Sequence, residues 1–188
     1  LWATHREQPT MGFHVTWLTA HEESVVDETL LAVGRRSAEE RIATLEGGSQ
    51  TLLAPSGLAA IAMVNLALLA QGDEVLLPNN VYGPSRDFAR GMLAPLGITH
   101  RLYDAMDAPA FAAMLGPRTK LVWIEAPGSV TMEFPDLRAL VRPVKAHGAV
   151  CALDNTWGAG LAFRPFELGE AGESLAVDLS MQALTKYP

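Results

Sequence analysis

From residue 37 onward, short apolar runs alternate with longer stretches whose apolar residues recur at helical spacing. The runs from Thr51 to Ala54, Glu74 to Leu77, Ile98 to Tyr103, Lys120 to Glu125, Ala149 to Leu153 and Leu175 to Leu179 read as strands. Between them, helices are expected from Leu58 to Ala70, near Ser85 to Leu93, near Pro109 to Leu115 and from Pro135 to His147. Another helix is expected at residues 37–46. There Ser37 and Glu40 have capping-box spacing, Ile42 and Leu45 form an apolar stripe, and Gly47 can end the helix. Leu58 to Ala70 is apolar on nearly every face, which predicts a buried helix closed by Gly72. Pro143 predicts a kink in the last helix, and His147-Gly148 reads as its C-terminus. Residues 1–24 show no clear period and receive no element. Continuous apolar strands separated by helices imply an α/β fold, doubly wound, with a mostly parallel sheet and helices on both faces.

Composition supports that picture and narrows the partners. The chain has 188 residues, 49% of them hydrophobic, enough for one domain, or a large piece of one, with its own core. A formal net charge of −7 argues against nucleic acid or an anionic membrane as partner. The longest apolar run, Leu58 to Ala70 interrupted by Asn65, falls short of the roughly 20 residues needed to span a membrane. Cys151 is the only cysteine, so an internal disulfide is excluded and a reducing, cytoplasmic location is expected. His5, His14, His21, His100 and His147 lack ligand spacing, and no metal is expected. The start at Leu1-Trp2-Ala3, without an initiator Met or an apolar signal core, reads as internal. The stop at Lys186-Tyr187-Pro188 reads as unfinished.

In an open α/β sheet, ligands gather at the carboxyl ends of the strands, so the residues that follow each strand are the candidates. Ser56-Gly57 follow the first strand and open a helix, where backbone N–H groups and the helix dipole suit a phosphate; an ordinary turn capped by Ser56 fits the same residues. Asp154 ends a buried strand, where its carboxylate needs a cation or donors; a protonated pyridine nitrogen or the next helix's N-terminus would serve. Tyr82 lies in a loop after a strand, as a stacking platform or a half-buried loop aromatic. Lys186 follows the last strand, as a reactive amine or a solvated surface residue. Each signal alone is weak. Together they are what pyridoxal phosphate requires: donors for its phosphate, a face for its ring, an anion for its ring nitrogen and an amine for its aldehyde.

Leu153-Asp154-Asn155-Thr156-Trp157 and Gln182-Ala183-Leu184-Thr185-Lys186-Tyr187 resemble the paired signatures of the cysteine/methionine-metabolism family of pyridoxal-phosphate enzymes. Glu125-Ala126-Pro127-Gly128-Ser129 and Val81-Tyr82-Gly83-Pro84 resemble its cystathionine beta-lyase branch, over a stretch running from about Leu45 to the end. The resemblance implies the cofactor domain of a fold type I enzyme over residues 47–188, preceded by a poorly matching segment, 1–46. It makes Lys186 the residue that bonds the cofactor aldehyde, Asp154 the partner of the pyridine nitrogen and Tyr82 the stacking residue. Gly57 and Leu58 become backbone donors to the phosphate beside Ser56, Thr185 adds a hydroxyl, and Arg35 reaches the phosphate of a neighbouring subunit. The activity implied is β-elimination of cystathionine to homocysteine, pyruvate and ammonia, by a homotetramer.

Three departures bear on these expectations. Val33 stands where the family has a tyrosine, the stretch from Arg36 to Glu46 is shortened, and the family's C-terminal half, with its substrate-carboxylate arginine, is missing. These 188 residues alone are therefore expected to bind cofactor weakly and turn nothing over, and an inactive fragment is one alternative. A cysteine desulfhydrase or a cystathionine gamma-synthase or gamma-lyase is another. Gly158-Ala159-Gly160 half-matches a dinucleotide loop, but Phe163 stands where the third glycine belongs.

Overall fold

The computed structural model describes the backbone of residues 13–17, and residues 38–170, 172–184 and 186 in full. In chain order the elements are β1 (Phe13–Trp17), α1 (38–46), β2 (Gln50–Ala54), α2 (Gly57–Leu68), β3 (Glu74–Pro78), α3 (Gly83–Phe88), β4 (Thr99–Tyr103), α4 (Ala108–Met114), β5 (Thr119–Glu125), α5 (Leu137–His147), β6 (Val150–Asp154) and β7 (Leu179–Gln182). The seven strands form one sheet in the order β2-β1-β7-β6-β5-β3-β4, and every pairing is parallel.

Alternate residues of the central strands enter two separate cores. Val75, Leu77, Leu121 and Trp123 pack with Ala60, Ile61 and Val64 of α2. Leu76, Val122, Ile124 and Leu153 pack with Phe111 of α4 and Leu140, Val141 and Val144 of α5. Both faces of the sheet are thus covered, which is why its strands are apolar throughout rather than alternating. The doubly wound α/β class expected from the sequence is the one observed. Helix ends follow local chemistry. Asp136 caps α5 by accepting from Ala139 N at 3.0 Å. Gly148, at φ +85, ends that helix with its N–H 3.0 Å from Val144 O. Among the described residues no helix is long and apolar enough to cross a membrane.

Several elements differ from the sequence reading. β1 lies in a segment to which no element was assigned, and it sits between β2 and β7. The last strand is Leu179–Gln182 rather than Leu175 to Leu179. Leu175, Ala176 and Val177 are buried, but they bond to a loop: Leu168 N donates to Leu175 O (2.8 Å) and Val177 N to Pro165 O (3.1 Å). Their apolar character reflects burial without sheet pairing, a distinction that composition does not carry. Helix α2 stops at Leu68 with Leu69 extended, and Gly72 belongs to the turn beyond. α2 buries Ala60, Ile61, Val64 and Asn65 and leaves Leu58, Met63 and Leu66 exposed, so it is half-buried rather than enclosed. The helix expected near Ser85 to Leu93 is α3 followed by a π segment, Ala89–Leu93, and a 3-10 turn, Ala94–Leu96. Pro143 lies inside α5 without ending it. Ser37 lies outside the described residues.

Phe111 is fully buried, with its ring centroid 4.4 Å from that of Tyr103. Phe111→Ala should cost about 3–5 kcal/mol of folding stability. Urea unfolding checks this, with an unchanged denaturant slope showing that the fold itself is retained.

Candidate active site

The carboxyl ends of β5, β6 and β7 lie side by side. The register sets Glu125 opposite Asp154, and Asp154 opposite Met181. Two buried carboxyl groups therefore end adjacent strands at the edge where an open parallel sheet binds its ligands.

Asp154 is held through one oxygen. Its Oδ1 accepts from Thr156 N at 3.0 Å and from Thr156 Oγ1 at 2.5 Å, and Oδ2 has no partner among the described residues. Thr156 Oγ1 in turn accepts from Ala183 N at 2.9 Å, and Asn155 N donates to Met181 O at 2.7 Å. Asp154 is thus fastened to the segment that leaves β7. The two roles open for this carboxylate, local cap or partner of a cation, fall to different oxygens. It caps a turn rather than a helix, since residues 156–161 form turns.

The N-terminus of α2 closes on the same segment. Ser56 is its N-cap, with Oγ accepting from Ala59 N and its carbonyl accepting from Ala60 N, both at 2.9 Å. That leaves the N–H groups of Gly57 and Leu58 as unpaired first-turn donors among the described residues. A Cβ on Gly57 would come within 3.1 Å of Ala183 Cβ, so only a small residue fits at this contact. Lys186 N donates to Ala183 O at 3.0 Å, which places Lys186, exposed, one turn beyond the contact. Tyr82 is 40% exposed at the loop after β3, and its N–H donates to Glu125 Oε1 at 2.6 Å. The structure thus gathers Tyr82, Asp154, Ser56, Gly57, Leu58 and Lys186 around one sheet edge. Thr185 and Arg35 lie outside the described residues.

Glu125 received no role from the sequence beyond its place in a motif. Its second oxygen accepts from Ser129 N at 2.9 Å, so one carboxyl group joins the loop after β3 to the loop after β5. The rule that singled out Asp154, a carboxylate ending a buried strand, applies equally to Glu125 at the end of β5. Burial, with the neighbouring Asp154 charge adding to it, pushes the Glu125 carboxyl up to about 8. Burial also raises Asp154, but the Thr156 donors oppose the rise. Burial thus raises both carboxyl groups, and the Thr156 donors favour the charged form of Asp154.

This donor and acceptor set suits a dipolar ligand. Unpaired N–H groups at a helix N-terminus receive an anion, and a buried carboxylate with a free oxygen receives a cation. The half-matched dinucleotide loop does not fit, because no helix follows it among the described residues. A Cβ on Gly158 would strike Asn155 Oδ1 at 2.1 Å, and one on Gly160 would meet Leu45 Cγ at 2.9 Å. Those glycines allow the loop to pack on itself and on α1.

Comparison with known proteins agrees with this arrangement. Residues 31–188 match the model of the family described as Cys/Met metabolism PLP-dependent enzymes. The chain is 40% identical over 153 residues to cystathionine beta-lyase MetC of Escherichia coli (strain K12), covering 80% of this chain and 37% of that protein. It is 35% identical over 149 residues to L-methionine gamma-lyase of Pseudomonas putida, covering 79% of this chain and 36% of that one. A solved structure superposes with a TM-score of 0.72 at 27% identity, covering 80% of this chain and 35% of that chain. It is a putative O-acetylhomoserine (thiol)-lyase of Campylobacter jejuni containing N'-pyridoxyl-lysine-5'-monophosphate. The chain thus spans little more than a third of the length of these relatives.

The acid pair gives the cofactor-free protein a pH signature. With its pKa raised to about 8, folded Glu125 keeps a proton that the unfolded chain loses near 4.5. Its contribution is complete below the lower value and is lost as pH rises toward the upper one. The urea midpoint should therefore fall between about pH 5 and 8. Glu125→Gln, which cannot ionise, should flatten the fall. An equally steep decline in the variant would assign it to other groups.

Proposed function

Because this chain belongs to the family of pyridoxal-phosphate-dependent enzymes of cysteine and methionine metabolism, we propose that it forms the cofactor site of a carbon–sulfur lyase acting on cystathionine. One observation carries the reading: Asp154, with a free oxygen, is tied through Thr156 to Ala183, on which the open N-terminus of α2 packs. Lys186 follows that contact by three residues.

In this reading the N–H groups of Gly57 and Leu58, with the Thr185 hydroxyl, hold the cofactor phosphate, and Arg35 of a neighbouring subunit completes its charge balance in a homo-oligomer. Asp154 keeps the proton on the ring nitrogen through Oδ2. The Tyr82 ring covers one face of the cofactor, with its backbone fixed by Glu125. When bound, the cofactor supplies an electron sink for negative charge at the substrate's α carbon. Lys186 carries the amine that bonds the cofactor aldehyde. Lys186 would accept the α proton at Nζ, and a thiolate would leave the β carbon. With water, cystathionine yields homocysteine, pyruvate and ammonia. The Gly128-Ser129 pair after Pro127 and Trp157 after Thr156 support the beta-lyase branch, in line with the E. coli relative. Cys151, buried and unpaired, suits a cytoplasmic enzyme.

Borohydride reduction of the protein with pyridoxal phosphate, followed by peptide mapping, should place the pyridoxyl mass on Lys186. Label on Lys120 or Lys145 instead would refute the assignment. Asp154→Ala should weaken cofactor binding by about 3–5 kcal/mol, read by fluorescence titration, because the buried ring cation loses its partner. Unchanged binding would mean that Asp154 caps its turn and nothing more. The substrate is tested on the intact protein with cystathionine, cysteine and methionine. Homocysteine and pyruvate should form from cystathionine and be lost in Lys186→Ala, whereas preference for methionine would move the assignment to a gamma-lyase.

A further inference from the structure

Glu46 is the last residue of α1, is 0% exposed, and has no part in the site described above. Its Oε1 accepts from Asn155 Nδ2 at 2.8 Å and also from Gln182 Nε2, while Oε2 accepts from Ser180 Oγ at 2.5 Å. One carboxyl group thus gathers donors from the residue after Asp154 and from two positions of β7, the strand that leads to Lys186. The location works against a carboxyl group. A helix C-terminus carries partial negative charge, and burial removes hydration. The three donors offset that cost, and each lies within one residue of Asp154 or on β7, the strand that leads to Lys186.

The enclosure around Glu46 is tight. A Cβ on Gly160 would meet Leu45 Cγ at 2.9 Å and Glu46 Cγ at 3.3 Å, so the loop after Asp154 packs directly on the end of α1. Ser180 and Gln182 point to the Glu46 side of β7, and Ala183 beyond them meets α2 and Thr156. Strand β7 is short, and polar at Ser180 and Gln182, so apolar packing alone does not lock its register.

We propose that Glu46 is a positioning residue that sets the spacing between Asp154 and Lys186, by binding Asn155, Ser180 and Gln182 through one carboxyl group. This rests on the assignment of Lys186 and Asp154 to the cofactor. All three partners donate, so an amide in place of the carboxyl offers one acceptor oxygen and turns an N–H₂ toward donors. Loosening the clamp changes where the lysine sits relative to the bound ring before it unfolds the sheet.

The test compares wild type with Glu46→Gln and Ser180→Ala, each saturated with pyridoxal phosphate. Three properties are read: far-ultraviolet circular dichroism for the fold, the induced circular dichroism of the cofactor band, and the rate of borohydride trapping on Lys186. Both variants should keep the wild-type fold signal. Glu46→Gln should lose most of the induced band and be trapped roughly tenfold more slowly, because sub-ångström misplacement costs reactivity steeply. Ser180→Ala should shift both readings in the same direction by less. A folded Glu46→Gln with wild-type band and trapping rate overturns the proposal. If Glu46→Gln does not fold, Ser180→Ala decides, and wild-type behaviour there overturns it equally. Failure of wild type to be trapped on Lys186 refutes the cofactor assignment instead, an outcome distinct from these.

Discussion

Carboxyl groups removed from water must find donors, and at this sheet edge Glu125, Asp154 and Glu46 are all buried. Their donors determine which segments meet. Glu125 draws in the backbone of Tyr82 and Ser129, Asp154 that of Thr156, and Glu46 the side chains of Asn155, Ser180 and Gln182. Loops that would otherwise diverge from the strand ends are fastened together by acids that the interior tolerates only when paired. The hydrophobic layers beneath supply a rigid base for these bonds, since Leu121 to Ile124 and Cys151 to Leu153 are nearly or fully inaccessible.

The same arrangement separates charge across the site. The start of α2 presents N–H groups without partners among the described residues, at the positive end of a helix dipole. Asp154 presents a carboxylate whose charged form is favoured because Thr156 donates to it twice. A ligand with phosphate at one end and a protonated ring nitrogen at the other is complementary to that layout.

Much of this was legible along the chain. The apolar runs and their helical spacers predicted a doubly wound sheet, because strands covered on both faces have no reason to alternate. The motifs around Asp154 and Lys186 identified the family. Errors arose where burial and pairing part company. Leu175 to Val177 are as apolar as a strand yet bond to a loop, while Ser180 and Gln182 are polar yet lie within β7. Residues 13–17 carried no readable period, and what shows them to be a strand is their place between β2 and β7.

By itself, then, the sequence determined the fold class and the family. These depend on local periodicity and on short contiguous motifs. Tertiary structure decided that Glu125 holds the Tyr82 loop, that Asp154 keeps one oxygen without a partner among the described residues, and that Glu46 joins residues more than 100 positions away. Such roles depend on which donors face a buried carboxyl group once distant strands lie side by side. A one-dimensional pattern contains the acids but not their neighbours.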